Sequence, residues 1–232
     1  MKERSKRYEQ AAAMVTANKV YSLEEAAELV RKFPSTKFNS TVSLSFRLGV
    51  DPKKSDQMVR GTCALPHGSG KTVRVLVFAQ GNAAEAARAA GADVVGYEDL
   101  IAKVKEGFLD FDTAIATPEA MTEVRKLGKQ LGPRGLMPNP RTGTVTEDTA
   151  GAVKAVKAGR ADFKLDKNGN CAAGVGKVTF EPKQIVENAT ALIEAVARSR
   201  PATAKGKFIE NVVLASTMSP GLKIDISKFV KA

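Results

Sequence analysis

A chain of 232 residues is long enough for two ordinary domains, and 43 % hydrophobic with 26 % charged residues is the balance of a globular protein. No stretch approaches the roughly 18–20 apolar residues that span a bilayer, and the charged start Met1-Lys2-Glu3-Arg4-Ser5-Lys6-Arg7 leads into no apolar core; the expectation is a cytoplasmic protein without a secretory signal. A formal charge of +11 and a pI near 9.7 favour a polyanionic partner, and two distant cysteines, Cys63 and Cys171, leave neither a zinc framework nor a disulfide scaffold.

Ser22-Leu23-Glu24-Glu25 has the spacing of a helix capping box, and Leu23, Ala26, Ala27 and Val30 follow at helical intervals until Pro34 stops the helix. From Thr41 the period changes to two: Val42, Leu44, Phe46 and Leu48 alternate with Thr41, Ser43, Ser45 and Arg47, which predicts a half-buried strand. Met58 to Leu65 reads as another strand, weakened by Gly61. Val73 to Ala79 is a nearly continuous apolar run, followed by Gly81-Asn82 and an Ala-rich helix through Ala90. Then come a short strand (Asp93–Val95), a helix (Glu98 to Lys105), a strand (Thr113 to Ala116) and a helix opening at Pro118. A further helix is expected near Asp148 to Lys157. Beyond Gly159, alternation returns with strands around Phe163, Val178–Phe180, Val212–Leu214 and Leu222–Ile226, interrupted by a long amphipathic helix from Pro182 to Arg198.

The β-α-β-α order in the middle implies a small, largely parallel sheet with helices on both faces. The fold class is therefore α/β combined with α+β: a discontinuous α+β domain from both chain ends (1–67 and 160–232) and an inserted Rossmann-like α/β domain (68–159). Charge follows the same division. Residues 69–158 carry 12 Lys+Arg against 11 Asp+Glu, which leaves 24 against 14 in the flanks from totals of 36 and 25. The two ends act together on a polyanion and the middle does something else.

Several motifs tempt toward an enzyme. Gly68-Ser69-Gly70-Lys71-Thr72 looks like the end of a phosphate-binding P-loop, but Leu65 stands where the pattern needs its first Gly, and the segment leads into a strand rather than a helix; it reads as a flexible inter-domain joint. The turn Gly81-Asn82-Ala83 lacks the GxGxxG of a dinucleotide site. His67 is the only histidine and reads as a solvated loop residue. The pairs Asp51/Asp56 and Asp110/Asp112 read as turn and capping residues. Three Tyr and no Trp argue against a broad base-stacking platform. The Gly- and Pro-rich stretch Leu131 to Gly143 reads from physics alone as a rigid connection.

The runs Asp51-Pro52-Lys53-Lys54-Ser55-Asp56-Gln57, Val59-Arg60-Gly61, Leu65-Pro66-His67-Gly68, Gly132-Pro133-Arg134-Gly135-Leu136-Met137-Pro138-Asn139-Pro140 and Asp166-Lys167-Asn168-Gly169 closely resemble the bacterial large-subunit ribosomal protein L-one family, the proteins of the mobile side stalk. The resemblance extends in order from about Tyr8 to Ile226. It implies a non-enzymatic protein without cofactor or metal, monomeric off the ribosome, that binds a folded region of large-subunit ribosomal RNA chiefly through the discontinuous domain. It also implies repression of translation through the protein's own operon mRNA, and a part in moving deacylated tRNA out through the exit site.

Carried over by position, the RNA-facing patch falls on Lys37, Phe38, Asn39, Ser40 and Thr41 and on Ser216, Thr217, Met218, Ser219 and Pro220, with Lys53, Lys54, Arg60, Lys164 and Lys177 as phosphate contacts. The chemistry fits: Lys meets phosphate, hydroxyls and exposed amides read 2′-OH groups, and Phe38 or Met218 lies against sugar or base. Two positions depart from the family pattern, Ser219 where Gly is usual and Ala172 where many members have His. The alternative from another class is a small nucleotide-dependent enzyme using the inserted domain.

Overall fold

The alternating stretch at Thr41 is strand β1 (Thr41–Leu48) in a computed structural model that describes residues 4–34, 36–227 and 229. Met1–Glu3 of the charged N-terminal run lie outside the described residues. Val42, Leu44, Phe46 and Leu48 are all buried, whereas Ser45 and Arg47 between them are exposed. Their strand lies inside an antiparallel sheet, flanked by β7 (Asn170–Lys177) on one side and β8 (Ile209–Ser216) on the other, with β9 (Leu222–Lys223) beyond β8. One strand from the N-terminal third is thus held between two from the C-terminal segment. Helices α2 (Leu23–Lys32) and α8 (Pro182–Arg198) pack on each other and on this sheet. Ser22 Oγ accepts the Glu25 amide at 3.2 Å, a side-chain cap that starts α2, and Phe33 leaves the helix in extended backbone before Pro34. Ile185, Ala189, Leu192, Ile193 and Val196 of α8 are sealed into the same core as Leu44 and Leu214. A second, two-stranded sheet joins β2 (Arg60–Ala64) and β6 (Arg160–Lys164).

The apolar run in the middle becomes β3 (Val75–Phe78), the central strand of a parallel sheet between β4 (Val94–Gly96) and β5 (Thr113–Ala116). All four β3 side chains are buried because both faces are covered. Val75 and Val77 pack with Ala84 and Ala87 of α3 (Gly81–Ala89) and Val153 and Val156 of α7 (Thr149–Lys157). Leu76 and Phe78 pack the other way, with Leu100, Ile101 and Val104 of α4 (Glu98–Lys105) and Val124 of α5 (Met121–Val124). The short α6 (Gly128–Leu131) adds Leu131 to that second core. Residues up to Gly70 and from Ala161 onward form one compact unit, and Lys71–Arg160 form the other, each with its own core.

Three local expectations change, and one helix is added. Val178–Phe180 is a turn, and the strand lies before it at Asn170–Lys177, a run of Ala and Gly that carries little β-propensity of its own. Its glycines serve contact: a Cβ on Gly176 would stand 2.8 Å from the Phe180 ring, which folds back over the strand end. Pro118 lies in a turn, and α5 begins only at Met121, whose amide reaches the Thr117 carbonyl. The last strand is confined to Leu222–Lys223, with Ile224 reaching Tyr21 through a single bridge. Helix α1 (Lys6–Ala13), capped by Ser5 Oγ on the Tyr8 amide, was not indicated by the periodicity.

Two aspartates bind the inserted sheet at its edges. Asp93 Oδ2 accepts the Val75 amide at 2.8 Å, and Asp112 takes the Arg74 amide at 3.1 Å on one oxygen and Lys71 Nζ at 3.0 Å on the other. Those amide donors, with Lys157 beside Asp93 and Lys71 beside Asp112 adding to them, hold both carboxyls below the ordinary aspartate range. A group whose pKa is depressed on folding contributes stability that is present above its unfolded pKa, roughly 3.9, and is lost as pH falls through the folded value. The stability of the Lys71–Arg160 unit should therefore fall on acidification below about pH 4, and Asp112→Asn should flatten that acid limb in urea titrations followed by circular dichroism. An acid limb identical in wild type and variant would show that Asp112 contributes nothing to it.

Candidate nucleic-acid interface

The start of β1 and the end of β8 are tied where two segments 176 residues apart meet. Thr217 donates its amide to the Thr41 carbonyl at 3.0 Å, and the Thr41 amide reaches Thr217 Oγ1 at 3.3 Å. Lys177 Nζ, from the neighbouring strand β7, donates to Thr41 Oγ1 at 2.8 Å. Beyond this knot the chain turns through Ser216–Ser219. Ser219 Oγ accepts the Ser216 amide at 3.0 Å, and the Ser219 amide returns to the Ser216 carbonyl at 3.0 Å. Met218 at the tip adopts the left-handed conformation (φ 63°), which a non-glycine residue occupies at a cost, and leaves its side chain 66 % exposed.

A cavity of about 340 Å³ opens beside this turn. Phe38, Asn39 and Ser40 line it from one side and Ser216, Thr217, Met218 and Ser219 from the other. Phe38 is 50 % exposed, so it is no core residue; with Met218 it forms an apolar rim that costs free energy in water and suits contact with a sugar or base face. Asn39 Nδ2 donates to Thr179 Oγ1 at 3.2 Å, and Lys37 is exposed next to Phe38. Ser40, Ser216 and Pro220 are buried and present little surface, the two serines lining the cavity. Sequence reasoning missed Arg7, Thr36, Val178 and Thr179, which also line the cavity. Val178 and Thr179 directly follow Lys177 and were masked by their reading as a strand. Arg7 had no periodic signal to place it.

The remaining cations lie elsewhere in the same unit. Lys53 and Lys54 follow the far end of β1, and eight residues of strand put that end roughly 23 Å from Thr41. Arg60 and Lys164 lie on β2 and β6; the Leu165 amide donates to the Val59 carbonyl at 2.9 Å and the Phe163 ring covers Gly61, a register that sets Arg60 opposite Lys164. Two like charges side by side repel unless a polyanion lies across them. Ala172 is exposed opposite Ser45 on the wet face of the sheet, and Ser219 keeps a negative φ, its hydroxyl bracing the turn.

The motifs that suggested chemistry are occupied structurally. His67 and Gly68 are held by α8: Asn188, fully buried, accepts the His67 amide and donates to the carbonyls of Gly68 and Val175 at 3.0, 3.0 and 2.7 Å. His67 pairs with Glu187 through its ring, Lys71 is engaged by Asp112, and Arg74 by Asp110. Asp51 accepts the Lys53 amide at 3.0 Å in a turn. Among the described residues no group of three or more His, Cys, Asp or Glu could hold a metal ion, and no helix is long and apolar enough to cross a membrane. Cys63 and Cys171 are both free and buried, and burial pushes the Cys171 thiol up to about 11, far from a reactive thiolate.

The model of the ribosomal protein L1p/L10e family matches residues 30–220. The chain is similar to the large ribosomal subunit protein uL1 of Kosmotoga olearia, with 51 % identity over 231 residues covering 100 % of both chains. It is similar to the uL1 of Beutenbergia cavernae at 53 % identity over 228 residues, covering 98 % of this chain and 96 % of that protein.

Because Ser219 Oγ joins the turn that sets Met218, Ser219→Ala should destabilise the protein by about 0.5–1.5 kcal/mol, the scale of one intramolecular hydrogen bond. Urea unfolding measures it. A variant as stable as wild type would mean that the backbone bond between Ser219 and Ser216 suffices to hold the turn.

Proposed function

This chain belongs to the ribosomal protein L1p/L10e family, and on that premise we propose that it is a protein of the large ribosomal subunit that grips ribosomal RNA of the side stalk with the cavity between Phe38 and Met218. The observation that carries this reading is the meeting of two remote segments at one exposed, partly apolar cavity inside the unit that holds the excess positive charge. Phosphate attraction supplies affinity there, and the turn, fixed by its own hydrogen bonds and exposed at Thr217 and Met218, supplies a contour fitted to sugar and base. Lys37, Asn39, Thr41, Lys177 and Thr217 frame the contact, Ser40, Ser216, Ser219 and Pro220 hold its shape, and Lys53, Lys54, Arg60 and Lys164 extend it along the phosphate backbone.

The same surface is the one offered to the protein's own operon mRNA, so the two RNAs compete and free protein represses its own translation. The Lys71–Arg160 unit, near neutral overall, serves the passage of deacylated tRNA through the exit site. Off the ribosome the protein is a monomer. An enzyme built on the inserted unit is not retained, since the relatives are ribosomal proteins over their full length and the P-loop-like lysine is engaged by Asp112.

Two measurements test the reading. Met218→Asp places a carboxylate where phosphate should approach and should weaken binding of a stalk-RNA fragment by about 1–3 kcal/mol, with an unchanged circular-dichroism spectrum. Unchanged affinity would move the site elsewhere. A chain joining residues 1–70 to 161–232 through a short linker keeps one complete core and should retain most of the affinity of the full protein. If the Lys71–Arg160 unit alone bound the fragment as tightly as the whole, the assignment of RNA binding to the discontinuous unit would be wrong.

A further inference from the structure

Arg7 is the only charged side chain among the described residues that line the cavity. It comes from α1, an element the sequence pattern did not announce, and its position is built rather than incidental. Ser5 caps the helix, Arg4 lies over the Tyr8 ring at 4.5 Å, and Ala11 of the same helix is buried against the main core and also lines the cavity. Arg7 itself is half-buried, and its Nη2 donates to the Met218 carbonyl at 3.3 Å. A guanidinium offers five N–H donors in a planar fork and cannot be deprotonated in proteins, so one bond to a carbonyl leaves most of its donors and all of its charge unspent.

The carbonyl it holds belongs to the one residue of the turn in left-handed backbone. Resting on the reading that the cavity receives RNA, we infer that Arg7 is a dedicated part of that site, with two jobs. It positions the strained Met218 turn by holding its carbonyl, and it presents the rest of its fork to a phosphate oxygen of the RNA backbone. A lysine on a flexible stem would supply the charge without the planar geometry; an Arg already anchored by one N–H loses less freedom when the second partner arrives.

The two jobs separate by substitution. Arg7→Gln keeps an amide that can donate to the Met218 carbonyl and removes the charge; Arg7→Ala removes both; Met218→Asp is the control for the site itself. Affinity of the full chain for a stalk-RNA fragment is measured at several salt concentrations. Loss of one phosphate contact lowers the slope of log K against log salt by about 0.7–0.9. The inference expects both Arg7 variants to bind at least about tenfold more weakly at low salt and to show that reduced slope, with Arg7→Ala the weaker of the two. If Arg7→Gln binds as wild type with an unchanged slope while Met218→Asp is impaired, the phosphate job is refuted and the RNA reading stands. If Arg7→Gln and Arg7→Ala are equally impaired, the hold on Met218 is refuted. If Met218→Asp also leaves affinity unchanged, the RNA reading of the cavity fails, and the inference fails with it.

Discussion

The hydrogen bonds between Thr41 and Thr217 close a domain that the chain itself leaves open for most of its length. Strand β1 cannot satisfy its edges locally, because both its neighbours arrive after the whole inserted unit has been made. Each edge of β1 is a row of backbone donors and acceptors that costs free energy if buried unpaired. Pairing with β7 and β8 removes that cost along eight residues, and the last rungs of this ladder, at Thr41, Lys177 and Thr217, adjoin the segments that line the cavity. The site and the closure of the domain are the same structural event. A change that loosened the end of the ladder would disturb both.

The inserted unit follows the opposite logic. Its sheet is parallel, and each crossover is made by a local helix, so its contacts close without help from the chain ends. That is why its central strand is apolar on both faces while β1 alternates: Val75 and Val77 meet one helix layer and Leu76 and Phe78 another, whereas Ser45 and Arg47 of β1 face water. Two covered faces leave such a sheet little polar surface of its own for recognition. The polar side chains that line the candidate interface come instead from the ends of a half-covered antiparallel sheet and its turn.

The difference in grammar explains what could be read in advance. Helices α4 and α8 and strands β1 and β5 were legible because long periodic or bounded apolar runs carry them. Strand β7 was not, since Asn170-Cys-Ala-Ala-Gly-Val-Gly-Lys177 owes its conformation to β1 and to the Phe180 ring rather than to propensity. Helix α1, with Ala11 as its only buried residue, has no apolar stripe to reveal it. The same limit applied to the interface. Residues carried over by family pattern include those that line the cavity from the 38–40 and 216–219 segments, but no pattern along the chain could distinguish them from Lys53 and Lys54 at the other end of β1, or assign Ser40 and Ser216 to the interior. Arg7 required the fold, because its relation to Met218 spans 211 residues.

The charge of the protein and the chemistry of the cavity operate over different distances. The flanks hold 24 basic against 14 acidic residues, yet a single cation lines the cavity among the described residues. Charge spread over Lys37, Lys53, Lys54, Arg60 and Lys164 attracts any polyanion across roughly a Debye length, about 8 Å at physiological salt, and does not distinguish one RNA fold from another. On the proposed reading, discrimination comes from groups fixed in space: the Met218 turn, whose bonds run to Ser219 and Arg7, the Thr41–Thr217 knot, and the exposed Phe38 ring. An RNA whose backbone does not follow that contour can still be drawn to the basic surface, but it forgoes the close contacts that the cavity offers. On the proposed reading, rigidity at the turn converts a general attraction for nucleic acid into preference for one folded region, and the left-handed backbone at Met218 holds that contour before the RNA arrives.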